Sequence, residues 1–123
     1  MDTKYNEYGY NRPFINYFIR YFHEKIYNLH LELNHRKIPH LFLNSCHSFD
    51  THTDLNNLFK YNWNNRFWKP YEKNGSFLEY YREKKFQETE FHHLLSDAHD
   101  DFANVLFSYI MAHELLSCPS DTY

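Results

Sequence analysis

Glycine and valine are almost missing. Gly9 and Gly75 are the only glycines in 123 residues, and Val105 is the only valine. A phosphate-binding P-loop, a dinucleotide fingerprint and a nucleophile elbow each need glycines at fixed offsets, so all three are excluded. A sandwich or barrel of β-branched strands joined by Gly turns is disfavoured for the same reason. Cysteine is scarce too: Cys46 and Cys118 are far apart in sequence. With no apolar leader in Met1 to Gly9, they read as free thiols of a reducing cytoplasm. The longest uncharged apolar stretch, Phe102 to Ala112, contains Asn104 and Ser108 and is too short to span a bilayer. A third absence concerns charge, since neither Lys nor Arg occurs after Lys85.

Aromatic residues fill the gap. They make up 21% of the chain, within a 42% hydrophobic total, so the sequence can build a core despite its polar average. The length corresponds to one domain, 1–123, with extended tails at 1–10 and 118–123. Asn11-Arg12-Pro13 reads as a helix start. Phe14, Phe18, Phe22, Ile26, Leu29 and Leu33 then follow at helical steps and predict one core-facing stripe ending near Asn34 to Lys37. His40 to Leu43 is a short plug, extended or helical. Asp50 to Thr53 offers N-caps for a second helix through Leu55, Leu58, Phe59, Asn62 and Phe67, stopped by Pro70. Glu72 to Gly75 is a turn. Ser76-Phe77-Leu78-Glu79 is a capping box opening a third helix that runs through Phe86. Phe91 to His113 keeps helical spacing and predicts a long last helix, with Thr89 as a possible cap. The expected fold is therefore all-α: a compact bundle of four to five helices with no sizeable sheet.

Charge is uneven. Residues 87–123 carry seven acids, Glu88, Glu90, Asp97, Asp100, Asp101, Glu114 and Asp121, and no Lys or Arg. The first two thirds of the chain are net positive, so the formal charge of -3 conceals a strongly acidic final third. Glu88 and Glu90 suit a helix N-terminus. Three Asp in mid-helix, where Asp has poor propensity, suit a surface that meets a positive partner.

Ten histidines invite a search for metal and catalytic sites. His40, Cys46, His47 and His52 have ligand chemistry but no standard zinc spacing. Glu90 to His93 has E-x-x-H spacing, and His92, His93 and Asp97 are the metal candidates of the last helix. The second E-x-x-H and the facing carboxylates of a di-iron bundle are missing. Neither a thiol nucleophile nor a helical RNase motif is formed, so no catalytic residue and no cofactor is expected. Lys60 to Lys69, with Trp63, Phe67 and Trp68, is the one segment suited to stacking on single-stranded bases, although those rings also suit a core.

The acids Glu88, Glu90, Asp97, Asp100 and Asp101, with Tyr80, Trp63 and Trp68 as aromatic anchors, describe a surface that binds protein. In size, acidity and lack of catalytic motifs the chain resembles immunity proteins of contact-dependent growth inhibition and related polymorphic toxin systems. That resemblance implies a cytoplasmic inhibitor that occupies a basic toxin, a nuclease domain above all, with no direct contact to nucleic acid or membrane. The alternatives are a metal-dependent helical enzyme built on the His/Asp cluster, an anti-CRISPR-like phage inhibitor, and a nucleic-acid-binding helical domain. An aromatic face also permits a homodimer.

Overall fold

The structure, a computed structural model, describes residues 12–49 and 60–119. Among these, three helices and two short strands follow in the order α1 (Arg12–His35), β1 (Phe42–Leu43), β2 (Phe67–Trp68), α2 (Phe77–Glu83) and α3 (Ser96–Ala112). The expected all-α bundle of four to five helices is thus corrected to three helices around a small parallel sheet. Phe42 pairs with Phe67 and Leu43 with Trp68, and an Asn44–Ser76 bridge extends the pairing to the start of α2. Leu55, Leu58 and Phe59 of the expected second helix, its caps, His52 and most of both tails lie outside the described residues. Over the described part of that expected helix, Lys60 to Pro70, no helix forms. Asn64 and Asn65 adopt φ of 55° and 64°, left-handed backbone that Asn tolerates and an α-helix does not.

The sheet divides the core. Successive strand residues point to opposite faces. Phe67 joins Phe49 and Trp63, with Ile19, Ile26, Tyr27, Phe42, Tyr61 and Tyr71 around them. Trp68 joins Tyr81, Leu94, Ala98 and Phe102. Ser76 caps α2 by accepting from the Glu79 N–H at 3.1 Å, as the capping box requires. The Glu79 carboxylate holds the Ser48 N–H at 2.7 Å and ties the loop after β1 to this helix.

All three helices end without glycine. Lys37, Lys85 and Glu114 take the left-handed position, with φ of 58°, 62° and 55°. In each case the next N–H reaches back five residues: Ile38 to Leu33 O, Phe86 to Tyr81 O and Leu115 to Ile110 O, at 2.9, 2.9 and 3.0 Å. This is the Schellman arrangement, with an apolar residue just beyond the helix.

α1 presents a different face inward from the one its apolar stripe predicts. Phe22 is 56% exposed, and Tyr17, Tyr21 and Leu29 are exposed with it, whereas His23, His30 and Asn34 are buried. At 100° per residue the buried face is rotated about a quarter-turn from the stripe. The receiving surface explains the rotation, because the loop 60–71 offers aromatic plates and polar atoms together. A neutral imidazole matches both.

No helix of the described residues is long and apolar enough to cross a membrane.

Candidate functional site

The acidic segment divides into structural and outward-facing acids. Glu88 receives charge-assisted bonds from Arg82, Nε to Oε2 at 3.0 Å and to Oε1 at 3.1 Å and Nη2 to Oε1 at 2.9 Å, and this pairing holds its carboxyl below the ordinary range. Asp101 accepts from the buried Tyr81 hydroxyl at 2.7 Å. Burial, and then that bond, push the Tyr81 phenol up. Glu90, Asp97 and Asp100 are exposed. Asp97 falls in the first turn of α3, where an acid complements the helix dipole, so its place there is favourable and not mid-helix as the sequence suggested.

The long last helix is also shorter than expected. Glu88 and Leu94 form an antiparallel bridge. Thr89 closes the loop between them, its N–H donating to His93 O at 2.8 Å and its hydroxyl accepting from the His93 N–H at 3.2 Å. His92 has a φ of 62°. Because α3 begins only at Ser96, His92 and His93 do not share a helix face with Asp97. Among the described residues no three His, Cys, Asp or Glu side chains gather as metal ligands.

The aromatic anchors divide likewise. Trp63 and Trp68 are buried at 4% and 1% exposure, so they hold the two halves of the core and present no ring face to a partner or to a base. Tyr80 is half-buried, edge-on to Trp68 at 5.2 Å, with Lys84 Nζ 4.5 Å from its ring centroid.

On α3, Asp97, Asp100, Asn104, Phe107 and Met111 are all exposed. At 100° per residue they fall within about 80° of one another, opposite the face that Ala98, Phe102 and Tyr109 turn to the core. Phe107 is 64% exposed and Met111 52%. The strip is acidic toward the N-terminus and apolar toward the C-terminus. Sequence reasoning found its acids. It missed Phe107 and Met111 because it assigned one apolar period to the whole helix. An apolar residue opposite Phe102 was the available signal.

A second feature lies on the other side of α3. A cleft of about 430 Å³ opens between the segment 61–72 and the end of α3. The rings of Tyr61, Trp63, Phe67, Tyr71 and Tyr109 line it, and its polar lining comes from Asn65, Lys69, Glu72 and His113. The Tyr109 hydroxyl donates to Asn65 O at 2.8 Å and joins the two walls. Burial, and then the Glu72 carboxylate, push the Tyr109 phenol up, so it stays protonated. Lys69, at φ 48°, pairs with Glu72 at 3.1 Å. The turn that follows folds back onto both residues and needs Gly75: a Cβ there would collide with the Lys69 carbonyl oxygen and approach Glu72 O at 2.8 Å.

No protein-family model, curated protein or solved structure matches the chain.

Proposed function

We propose that this chain is an inhibitor of the immunity type, which binds a basic protein in the cytoplasm, a toxin nuclease domain above all, and neutralises it by occupying its surface. One observation carries the reading: Asp97, Asp100, Phe107 and Met111 share one outward face of α3, with two large apolar side chains more than half exposed. Acids that steer and an apolar centre that stays bound are the two parts of a fast, long-lived interface. The mechanism is steric and electrostatic occupation, and it requires no catalytic residue or cofactor. The exposed thiols Cys46 and Cys118 suit a reducing compartment.

The test uses the product of the neighbouring gene, expressed as an isolated domain, with nuclease activity and complex formation as readouts. A complex that abolishes cleavage is expected. Asp97→Asn with Asp100→Asn then slows association about tenfold at low salt and flattens its salt dependence, while Phe107→Ala speeds dissociation. Full inhibition that none of these substitutions alters would overturn the assignment to α3. A neighbouring product that neither binds nor is inhibited would overturn the function.

A further inference from the structure

We propose that the cleft between residues 61–72 and the end of α3 binds a nucleoside monophosphate group, with the base against the half-buried rings of Tyr61, Tyr71 and Tyr109 and the phosphate at Lys60 and Lys69. Its volume, about 430 Å³, lies in the range of small-ligand sites. The rings are held in place before any ligand arrives. Tyr27 stacks on Tyr61 at 4.0 Å with planes 11° apart, Trp63 Nε1 donates to the Tyr71 hydroxyl at 3.0 Å, and Tyr109 is anchored on Asn65 O. Rigid aromatic walls accept a flat ring with little loss of side-chain freedom.

Charge selects the anion. Residues 60–73 carry Lys60, Arg66, Lys69 and Lys73 against the single acid Glu72, in a chain whose net charge is -3. Arg66 spends its guanidinium on backbone carbonyls, His40 O, Leu115 O and Ser117 O, so these bonds leave its positive charge in place. A cationic guest would meet this field with one carboxylate to receive it, and Lys69 already holds that carboxylate. An anionic guest meets Lys60 beside the lining, with its Nζ 5.6 Å from the Tyr71 ring centroid, and shares Lys69 with Glu72 in a pair that is solvent-exposed and therefore weakly held. The exposed Asn65 amide, a donor and an acceptor, stands among the lining groups for a base edge. Tyr109 lies on the side of α3 opposite Phe107 and Met111, so this site is independent of the protein-binding strip.

The experiment titrates the full chain with adenosine, guanosine, cytidine and uridine monophosphates, following the Trp63 indole resonance. Adenosine alone, inorganic phosphate alone and a single-stranded tetranucleotide complete the set. A saturable shift is expected with at least one monophosphate, with adenosine and inorganic phosphate each at least about tenfold weaker. Lys60→Glu, an exposed substitution, weakens the binding about tenfold and lowers its salt dependence. A tetranucleotide that binds tighter than any monophosphate identifies the end of a single strand as the source, and the reverse identifies free nucleotide. The proposal is overturned if no phosphate-bearing ligand shifts the indole up to about 10 mM. It is equally overturned if inorganic phosphate or adenosine alone matches the monophosphate, or if Lys60→Glu binds as well as wild type.

Discussion

His23 Nε2 and the Tyr71 hydroxyl lie 2.7 Å apart, and the bond between them can run only one way. The same phenol oxygen accepts from the Tyr61 backbone N–H at 2.9 Å and from Trp63 Nε1–H at 3.0 Å. Its one proton is therefore donated to His23, which must be neutral with an unprotonated Nε2. Phe49 and Tyr61 flank the imidazole at 4.2 and 4.8 Å between ring centroids.

The consequence is a pH-dependent stability. Burial pushes His23 down to about 4 from its ordinary 6.5. Between those values the unfolded chain takes up a proton that the folded chain refuses, so acid favours unfolding. Stability from this group is complete above pH 6.5, declines as the pH falls, and levels off below about 4. The loss is about 2 to 3 kcal/mol across the window. Urea midpoints at a series of pH values measure it, and His23→Gln flattens the acid limb. Tyr71→Phe leaves three polar groups without this partner and costs about 3 kcal/mol at neutral pH.

α1 predicts a reversal of the usual hydrophobicity rule. His30 is fully buried, with Nδ1 donating to His40 Nε2 at 2.8 Å. The direction follows from His40 Nδ1, which donates to Ile38 O at 2.7 Å. His30 Nε2, left unprotonated, accepts from Asn34 Nδ2 at 3.2 Å, and the same Asn34 amide donates to Asn64 Oδ1 at 3.3 Å. His30→Leu, which raises the hydrophobicity of a core position, strips partners from these groups and costs about 2 to 4 kcal/mol. Phe22→Gln, which lowers the hydrophobicity of a stripe position, stays within about 0.5 kcal/mol of wild type. Thermal or urea denaturation of the two variants, side by side, checks the pair.

These two positions also show how much of the fold could be read in advance. The extent of α1, the turn at Glu72 to Gly75, the Ser76 cap and the inward run from Ala98 through Phe102 are local signals, and the sequence carries them. The inward face of α1 is not local, because it depends on what the loop 60–71 offers across the chain. A hydropathy scale counts His23 and His30 as polar, whereas a neutral imidazole held by Tyr71 or His40 packs as a flat ring. β1 and β2 pair only two residues each, and Phe67 and Trp68 fit a helical period as well as an extended one. For the candidate sites, acidity pointed to Asp97 and Asp100. The carboxylates of Glu88 and Asp101 looked the same in sequence, and only Arg82 and Tyr81 distinguish them.

The scarcity of glycine leaves stability unrealised at the helix ends. Lys37, Lys85 and Glu114 occupy left-handed C-terminal positions, which cost an L-residue about 1 kcal/mol and glycine nearly nothing. Lys37→Gly and Lys85→Gly each raise stability by about 0.5 to 1 kcal/mol, and Glu114→Gly does the same. The same substitution one position earlier, at Arg36, destabilises, since that residue lies before the left-handed turn. Chemical denaturation of the four variants checks these opposite signs, with Arg36→Gly losing its 2.6 Å pair with Glu32 as well.

Arg66 fastens the C-terminal segment through geometry, and charge alone does not replace it. Its guanidinium reaches Leu115 O at 2.9 Å and Ser117 O at 3.0 Å from different nitrogens, while Nη1 also approaches His40 O at 3.2 Å. A lysine keeps the charge, but its single compact ammonium cannot span carbonyls from two parts of the chain. Arg66→Lys is therefore expected to cost about 2 kcal/mol, and the loss has a definite location. Amide exchange should accelerate at Leu115 and Ser117, beyond the end of α3, before it does so in the Trp68 core. If Arg66→Lys matches wild type in both stability and exchange, charge suffices and the forked geometry does not matter. If Arg66→Met shows the same local exchange increase as Arg66→Lys, the bonds to the carbonyls are what hold the segment against β2.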